Sequence, residues 1–350
     1  MDCRIGENDV CSESINGGGD ILCSKNSASS ADHLVVMVNG ILGSSKDWKF
    51  AAEQFVKMLP DKVFVHCSER NEFKMTLDGV DVAGERLVEE VVEVIKWKPD
   101  VRKISFIAHS MGGLVARYAI GRLYRPPKTV EGALGEDSRG TIYGLEAMNF
   151  ITVATPHLGS RGNKQVPFLF GLSALEKTAC LVIHWIFRRT GRHLFLTDSD
   201  EGKPPLLRRM VDDCGDLYFM SALHAFKRRV AYSNVDYDHF VGWKTASIRR
   251  TRELPTWTDS LNQKYPHIVY EEYSNPKDGE HTISVEDEGS DTLEEVIVRG
   301  LSRVSWEKVD VSFHSCKQRF AAHSVIQVKD HFLHSEGADV IQHMIDHFLN

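Results

Sequence analysis

One serine in this chain stands where a short apolar run gives way to a helical pattern. The run Ile104-Ser-Phe-Ile-Ala108 has the length and apolarity of a strand buried on both faces, while Leu114, Val115, Tyr118 and Ala119 recur at helical spacing. Between them lies Ala108-His109-Ser110-Met111-Gly112. Small residues two positions before and after a serine are what a sharp strand-to-helix turn demands, because the turn leaves no room there for bulk. A serine held on such a turn is presented for nucleophilic attack. The N-terminus of the helix that follows lends partial positive charge to an oxyanion formed beside it.

A hydroxyl is a weak nucleophile at neutral pH, so Ser110 needs a base within hydrogen-bond reach and an acid that orients the base. In α/β-hydrolases, whose nucleophile sits on such an elbow, the partners follow in the order Asp or Glu, then His, the acid after a late strand and the histidine after the last one. Asp238 follows the apolar run Arg229 to Val235, and His323 follows Trp306 to Phe313. Asp236 competes for the acid position, and the spacing to Val241 favours Asp238. His314 lies nearer the end of the last strand, while His331, His334, His343 and His347 crowd the C-terminus. His343 and His347 are four apart on a helical pattern, but no Glu-x-x-His context or third ligand accompanies them. They read as solvated face residues, and no metal is expected.

The elements that must position these residues alternate. His33 to Gly40 reads as a buried strand, Trp48 to Leu59 as a helix with Pro60 at its end, Val63 to Cys67 as a strand, and Val80 to Trp97 as a helix closed by Pro99. The serine strand and its helix follow, then strands at Asn149–Ala154, Arg229–Val235 and Trp306–Phe313, and a closing helix over Asp339–Leu349. Such alternation predicts an α/β architecture, a mostly parallel sheet with helices on both faces and ligands beyond the carboxyl ends of its strands. The alternation fails from about 159 to 228. That insertion is rich in apolar residues (Phe168, Leu169, Phe170, Leu181, Val182, Ile183, Trp185, Ile186, Phe187), with Arg188, Arg189 and Arg192 beside them. It reads either as core helices or as a lid with an apolar face and a cationic rim for lipid. Residues 254–295 are mostly polar and read as a solvated excursion. Residues 1–32, acidic and rich in Gly and Ser, read as a disordered leader.

Composition excludes several classes of function. A formal net charge of -7 and a pI near 6.1 are wrong for a nucleic-acid partner. Seven scattered cysteines with no CxxC spacing read as reduced thiols. There is no Asn-x-Ser/Thr sequon, and Met1 to Asp32 has the composition of neither a signal nor a transit peptide. Together these predict a cytoplasmic protein, peripheral at most on a membrane or lipid droplet.

Five stretches together resemble one family. They are Val38-Asn39-Gly40-Ile41-Leu42-Gly43 with Trp48, Ala108-His-Ser-Met-Gly-Gly-Leu, Thr152-Val-Ala-Thr-Pro-His-Leu-Gly, Asn234-Val-x-x-Asp238-x-x-Val241, and Ala322-His323-Ser-Val-Ile-Gln-Val. From about Leu34 to Leu349 the chain resembles the lipase-like serine esterases of plants and fungi, within the α/β-hydrolase superfamily. The resemblance implies an α/β-hydrolase fold with a helical lid insertion. It implies Ser110 as nucleophile, Asp238 as acid and His323 as base, with backbone N–H groups of Ile41 and Met111 as the oxyanion hole. Leu42, His109 and His157 are then expected at the substrate site, though His109 also fits a structural role and His157 could instead fix the turn at Pro156. Asn39 stands where many lipases have His, and Ala108 replaces the first Gly of the elbow. The expected chemistry is cofactor-free hydrolysis of a lipid-like carboxylic ester through an acyl-enzyme. Thioester hydrolysis and acyl transfer use the same machinery, and a catalytically silent binding module is the alternative of another class.

Overall fold

The computed structural model describes residues 30–127, 139–160, 187–199, 202–260, 262–276 and 292–350, together with the backbone of 10–14 and 20–24. Its strands are β1 (Val10–Ser14), β2 (Asp20–Ser24), β3 (His33–Val38), β4 (Val63–Cys67), β5 (Lys103–His109), β6 (Tyr124–Arg125), β7 (Thr141–Ile142), β8 (Glu146–Val153), β9 (Arg228–Asn234), β10 (Ile268–Ser274) and β11 (Trp306–Val311). Nine form one sheet in the order β1-β2-β4-β3-β5-β8-β9-β11-β10, and β6 pairs with β7 alone. From β4 to β11 neighbouring strands run parallel; β1, β2 and β10 are antiparallel additions at the edges.

The helices are α1 (Lys49–Met58), α2 (Val80–Trp97), α3 (Met111–Leu123), α4 (187–194), α5 (Leu206–Arg209), α6 (Phe219–Ala225), α7 (Trp243–Ala246), α8 (Leu293–Leu301), α9 (Ala322–Val325) and α10 (Ala338–Asp346). They cover both faces because the parallel strands are apolar on both. Along β3, Leu34, Val36 and Val38 join the core beneath α2, α3, α6 and α8, whereas Val35 and Met37 join the core beneath α1, α9 and α10. Each such fully buried Val or Leu contributes about 1.5–3 kcal/mol. From β3 the chain goes outward to β4 and returns to β5 on the other side of β3, so the sheet order reverses between β3 and β5. A crevice at the carboxyl ends of those two strands is where a doubly wound sheet binds its ligand.

Two departures from expectation have local causes. Residues 10–14 and 20–24 belong to the stretch expected as a disordered leader, yet they form paired strands, with β2 docked on β4. The signal was Asn16-Gly17 between two short runs carrying Val10, Ile21 and Leu22, a hairpin sequence outweighed by the acidic, Gly-rich composition. The polar excursion contains edge strand β10, whose Glu271 and Tyr273 are exposed while Tyr270, Glu272 and Ser274 are half-buried, as an edge strand allows. Within the insertion, 161–186 lie outside the described residues, and with them most of the apolar run. The later part is core: Leu206, Leu207, Phe219 and Leu223 are buried in the main apolar cluster. Helix α4 docks on the start of α2, where Gly79 N–H donates to Thr190 Oγ1 (3.0 Å) and Val80 N–H to His193 Nδ1 (3.0 Å). Arg188 and Arg189, expected to form a cationic rim with Arg192, pair with Asp78 and Asp81. Among the described residues no helix is long and apolar enough to cross a membrane.

Candidate active site

Ser110 joins β5 to α3 in a backbone conformation, φ 54° and ψ −131°, that a residue with a side chain rarely adopts. Such strain costs on the order of 1–3 kcal/mol and persists only where the surroundings over-determine it. Here Ser110 N–H donates to Val153 O at the end of β8 (2.8 Å). Gly112 lets α3 settle against the end of β3: a Cβ there would stand 2.4 Å from Asn39 O and 2.7 Å from Val38 O. Gly40 is equally constrained, since its Cβ would lie 2.9 Å from Ser110 Cβ.

Three parallel strands deliver the other parts to the same crevice. After β11 the chain loops to the short helix α9, which carries His323; after β9 it turns through Asp238. Ser110 Oγ lies 3.0 Å from His323 Nε2, and His323 Nδ1 lies 2.9 Å from Asp238 Oδ2. An ionised carboxylate only accepts, so Nδ1 carries the hydrogen and Nε2 faces Ser110 with its lone pair. Asp238 also accepts from Asn234 Nδ2 (2.9 Å), Phe240 N–H (3.0 Å) and Val241 N–H (2.9 Å). Burial opposes its charge, yet His323 and these donors outweigh burial and hold the carboxyl below its ordinary pKa. Asp236, the competing acid, is half-buried, and its own burial raises its pKa. His314 bonds Ser312 and Ser315 and faces Asp259, with no bond to Ser110 or Asp238.

The loop after β3 brings Ile41 beside the elbow. Leu42 N–H donates to Thr76 Oγ1 (2.9 Å) and Gly43 N–H to Gly40 O (3.1 Å), while Ile41 N–H has no acceptor among the described residues. Met111 opens α3, where a backbone N–H has no intrahelical acceptor. Asn39 is buried and donates to Asn71 O (2.9 Å), and Asn71 donates in turn to Ala83 O (2.7 Å) on α2. The loop is therefore fixed by Asn39, Asn71 and Thr76. The last two escaped notice because loop residues that bond across 30 positions leave no local pattern.

The residues expected to meet substrate divide. Leu42 is half-exposed beside Ile41, at φ 55°. His109 is buried, its Nε2 on the carbonyl of His323 (2.7 Å), and its ring faces that of His323. His157 is fully buried, with Nε2 on Thr152 Oγ1 (3.0 Å) and its ring against Trp306; it belongs to the core under the Pro156 turn, away from the surface expected for it. Phe240, which the sequence did not single out, lies with its ring 5.2 Å from that of His323 and is exposed. His343, expected on a solvated face, is buried between Tyr232 OH (2.8 Å) and Glu271 (2.6 Å), while His347 is exposed. Among the described residues there is no cluster that could hold a metal ion.

Residues 28–248 match the family described as "Putative serine esterase (DUF676)". The chain belongs to this family. The matched span holds the elbow and Asp238 and ends before His323. Among relatives, the "Putative lipase ROG1" of Saccharomyces cerevisiae is 30% identical over 220 residues, covering 62% of this chain and 28% of that protein. The "Putative lipase C4A8.10" of Schizosaccharomyces pombe is 30% identical over 227 residues, covering 62% and 26%. The chain thus spans little more than a quarter of the length of these curated relatives. Among solved structures, the mature form of lipase BlEst2 of Bacillus licheniformis is similar to the chain with a TM-score of 0.36 and 16% identity, over 60% of this chain and 68% of that one. The family's α/β-hydrolase architecture is carried by the chain's own sheet order and elbow.

Proposed function

We propose that this family member hydrolyses carboxylic esters of lipid-like substrates through an acyl-enzyme on Ser110. The observation that carries the reading is the continuous hydrogen-bond chain from Ser110 Oγ through His323 to buried Asp238. In the first half-reaction Ser110 Oγ attacks the ester carbonyl carbon as His323 Nε2 takes its proton. Asp238 stays ionised, holds the tautomer and stabilises the imidazolium. The N–H groups of Ile41 and Met111 receive the oxyanion, and one such donor is worth about 10²–10³ in rate. Collapse of the tetrahedral intermediate passes the proton from Nε2 to the leaving alcohol. Water, deprotonated by the same nitrogen, then releases the acid and restores Ser110.

The lipid-like character rests on the rim. Leu42, Phe240 and Phe320 are exposed apolar side chains beside Ile41, around Asp238 and shortly before His323. An apolar rim suits a fatty acyl chain or the surface of a membrane or lipid droplet. The names of the yeast relatives agree with a lipase. Free Cys67, Cys214 and Cys316 support a reducing compartment, the cytoplasm. The test is a panel of p-nitrophenyl, glycerol and thioester substrates of graded acyl length, with wild type and Ser110→Ala. Expected is hydrolysis that rises with chain length in oxygen esters and vanishes in the variant. Hydrolysis retained by Ser110→Ala would overturn the reading, and a preference for thioesters would move it to the thioesterase.

A further inference from the structure

The mechanism above gives His109 no part, yet this residue adjoins Ser110 and contacts His323. It precedes Ser110 in the elbow, its ring lies 4.6 Å from that of His323, and its Nε2 is 2.7 Å from the carbonyl oxygen of His323. A carbonyl only accepts, so Nε2 carries the hydrogen. Nδ1 then faces the loop after β3, where a Cβ on Gly40 would stand 3.1 Å from it. The residue His109 supports needs support. Helix α9 has four residues, too few to be fixed by its own backbone bonds; Ala322 and Val325 seat it on the core, and the hydrogen bond from His109 falls on the backbone of His323 itself. Asp238 fixes the imidazole of His323 from Nδ1 but does nothing for its backbone.

We propose that His109 is a positioning residue for the base: its Nε2–H, delivered from the rigid end of β5, holds the His323 backbone so that Nε2 of His323 meets Ser110 Oγ. The proposal rests on the reading of Ser110, His323 and Asp238 given above. It also explains why an imidazole can sit there. Burial, then the neighbouring His323, holds the pKa of His109 well below the ordinary value, so the ring stays neutral beside the imidazolium that forms during acyl transfer.

The test compares His109→Phe, which keeps a ring and loses the donor, with His109→Gln, which keeps an N–H donor. A fluorophosphonate titration counts competent sites in each preparation, and kcat and KM for a p-nitrophenyl ester are expressed per titrated site. A displacement of about 1 Å at a catalytic group lowers the rate about 10²-fold. His109→Phe is therefore expected to lose about 10- to 100-fold in kcat and in the rate constant of fluorophosphonate labelling, with KM within about threefold; His109→Gln is expected to recover most of that loss. A second donor-free variant, His109→Met, makes the same comparison if the phenylalanine variant does not fold. A donor-free variant with kcat within about twofold of wild type, a glutamine variant no better than it, or a change confined to KM would overturn the proposal. Failure of the underlying reading looks different: wild type would not be labelled at Ser110, or Ser110→Ala would remain active.

Discussion

The seat of the elbow can be tested with one methyl group. Gly112 is the second residue of α3, and its backbone is one that alanine accepts, so helix propensity alone favours Gly112→Ala by about 1 kcal/mol. The structure argues the other way. The new Cβ would stand 2.4 Å from Asn39 O, 2.7 Å from Val38 O and 3.1 Å from Asn39 C, whereas real Cβ contacts essentially never fall below 3.0 Å. Both nearest atoms are main-chain carbonyls, so no rotamer change relieves the clash. Either α3 or the end of β3 must move by about 0.6 Å or more, and those two segments carry Ser110 and Ile41. Overpacking of this kind costs about 1–3 kcal/mol, which leaves the variant less stable by up to about 2 kcal/mol once propensity is offset. Separation of nucleophile and oxyanion donors on the order of 1 Å should lower kcat/KM about 10²-fold. Urea unfolding and kcat/KM for a p-nitrophenyl ester measure the two effects. A variant as active as wild type and about 1 kcal/mol more stable would refute the close approach of α3 to β3.

Two further outcomes follow from the acid and from a buried histidine. Asp238→Asn should lower kcat about 10⁴-fold, because asparagine no longer enforces the Nδ1–H tautomer; Asp236→Asn should stay close to wild type, and the reverse ranking in the same ester assay would move the acid to Asp236. His33 is buried against Ser105 and Phe348, and burial, followed by the charge on Lys103, lowers its pKa from 6.5 to about 3. The folded chain therefore favours the neutral ring, and this contribution to stability is fully present above pH 6.5 and lost as pH falls toward 3. By pH 5 the loss is about 2 kcal/mol. Urea midpoints at pH 7 and pH 5 should diverge less in His33→Asn than in wild type, and an equal pH dependence in both would contradict the assignment.

The sequence made most of the fold legible because parallel strands buried on both faces and the helices between them carry strong, opposite periodicities. Val63–Cys67 and Val80–Trp97 are found with the bounds expected for them. The edge strands were harder. β10 alternates only weakly, with Glu271 and Glu272 in its middle, since an edge strand with a wet side has no need of continuous apolar residues. Chain order placed Ser110, Asp238 and His323 on one list of candidates, and the fold brings them into contact across 85 and 213 positions. What chain order does not carry is the direction in which a side chain points. His109 ends β5 and His157 lies in the turn shortly after β8, yet one turns to the His323 carbonyl and the other into the core beside Trp306. The apolar composition of the insertion likewise did not distinguish residues covering a site from Leu206, Leu207 and Phe219, which find their partners in the main core. His343 shows the same limit: its burial depends on Tyr232 and Glu271, which reach it from β9 and β10.

The central claim is that Ser110 is a nucleophile made reactive by His323. Incubation of the intact chain with a fluorophosphonate, followed by peptide mapping by mass spectrometry, tests it most directly. The account predicts a single adduct on Ser110 in wild type, none in Ser110→Ala, and labelling slowed by several orders of magnitude in His323→Ala, since nucleophile and base act as a unit. Labelling at full rate in His323→Ala, or an adduct on another residue with Ser110 unmodified, would contradict it.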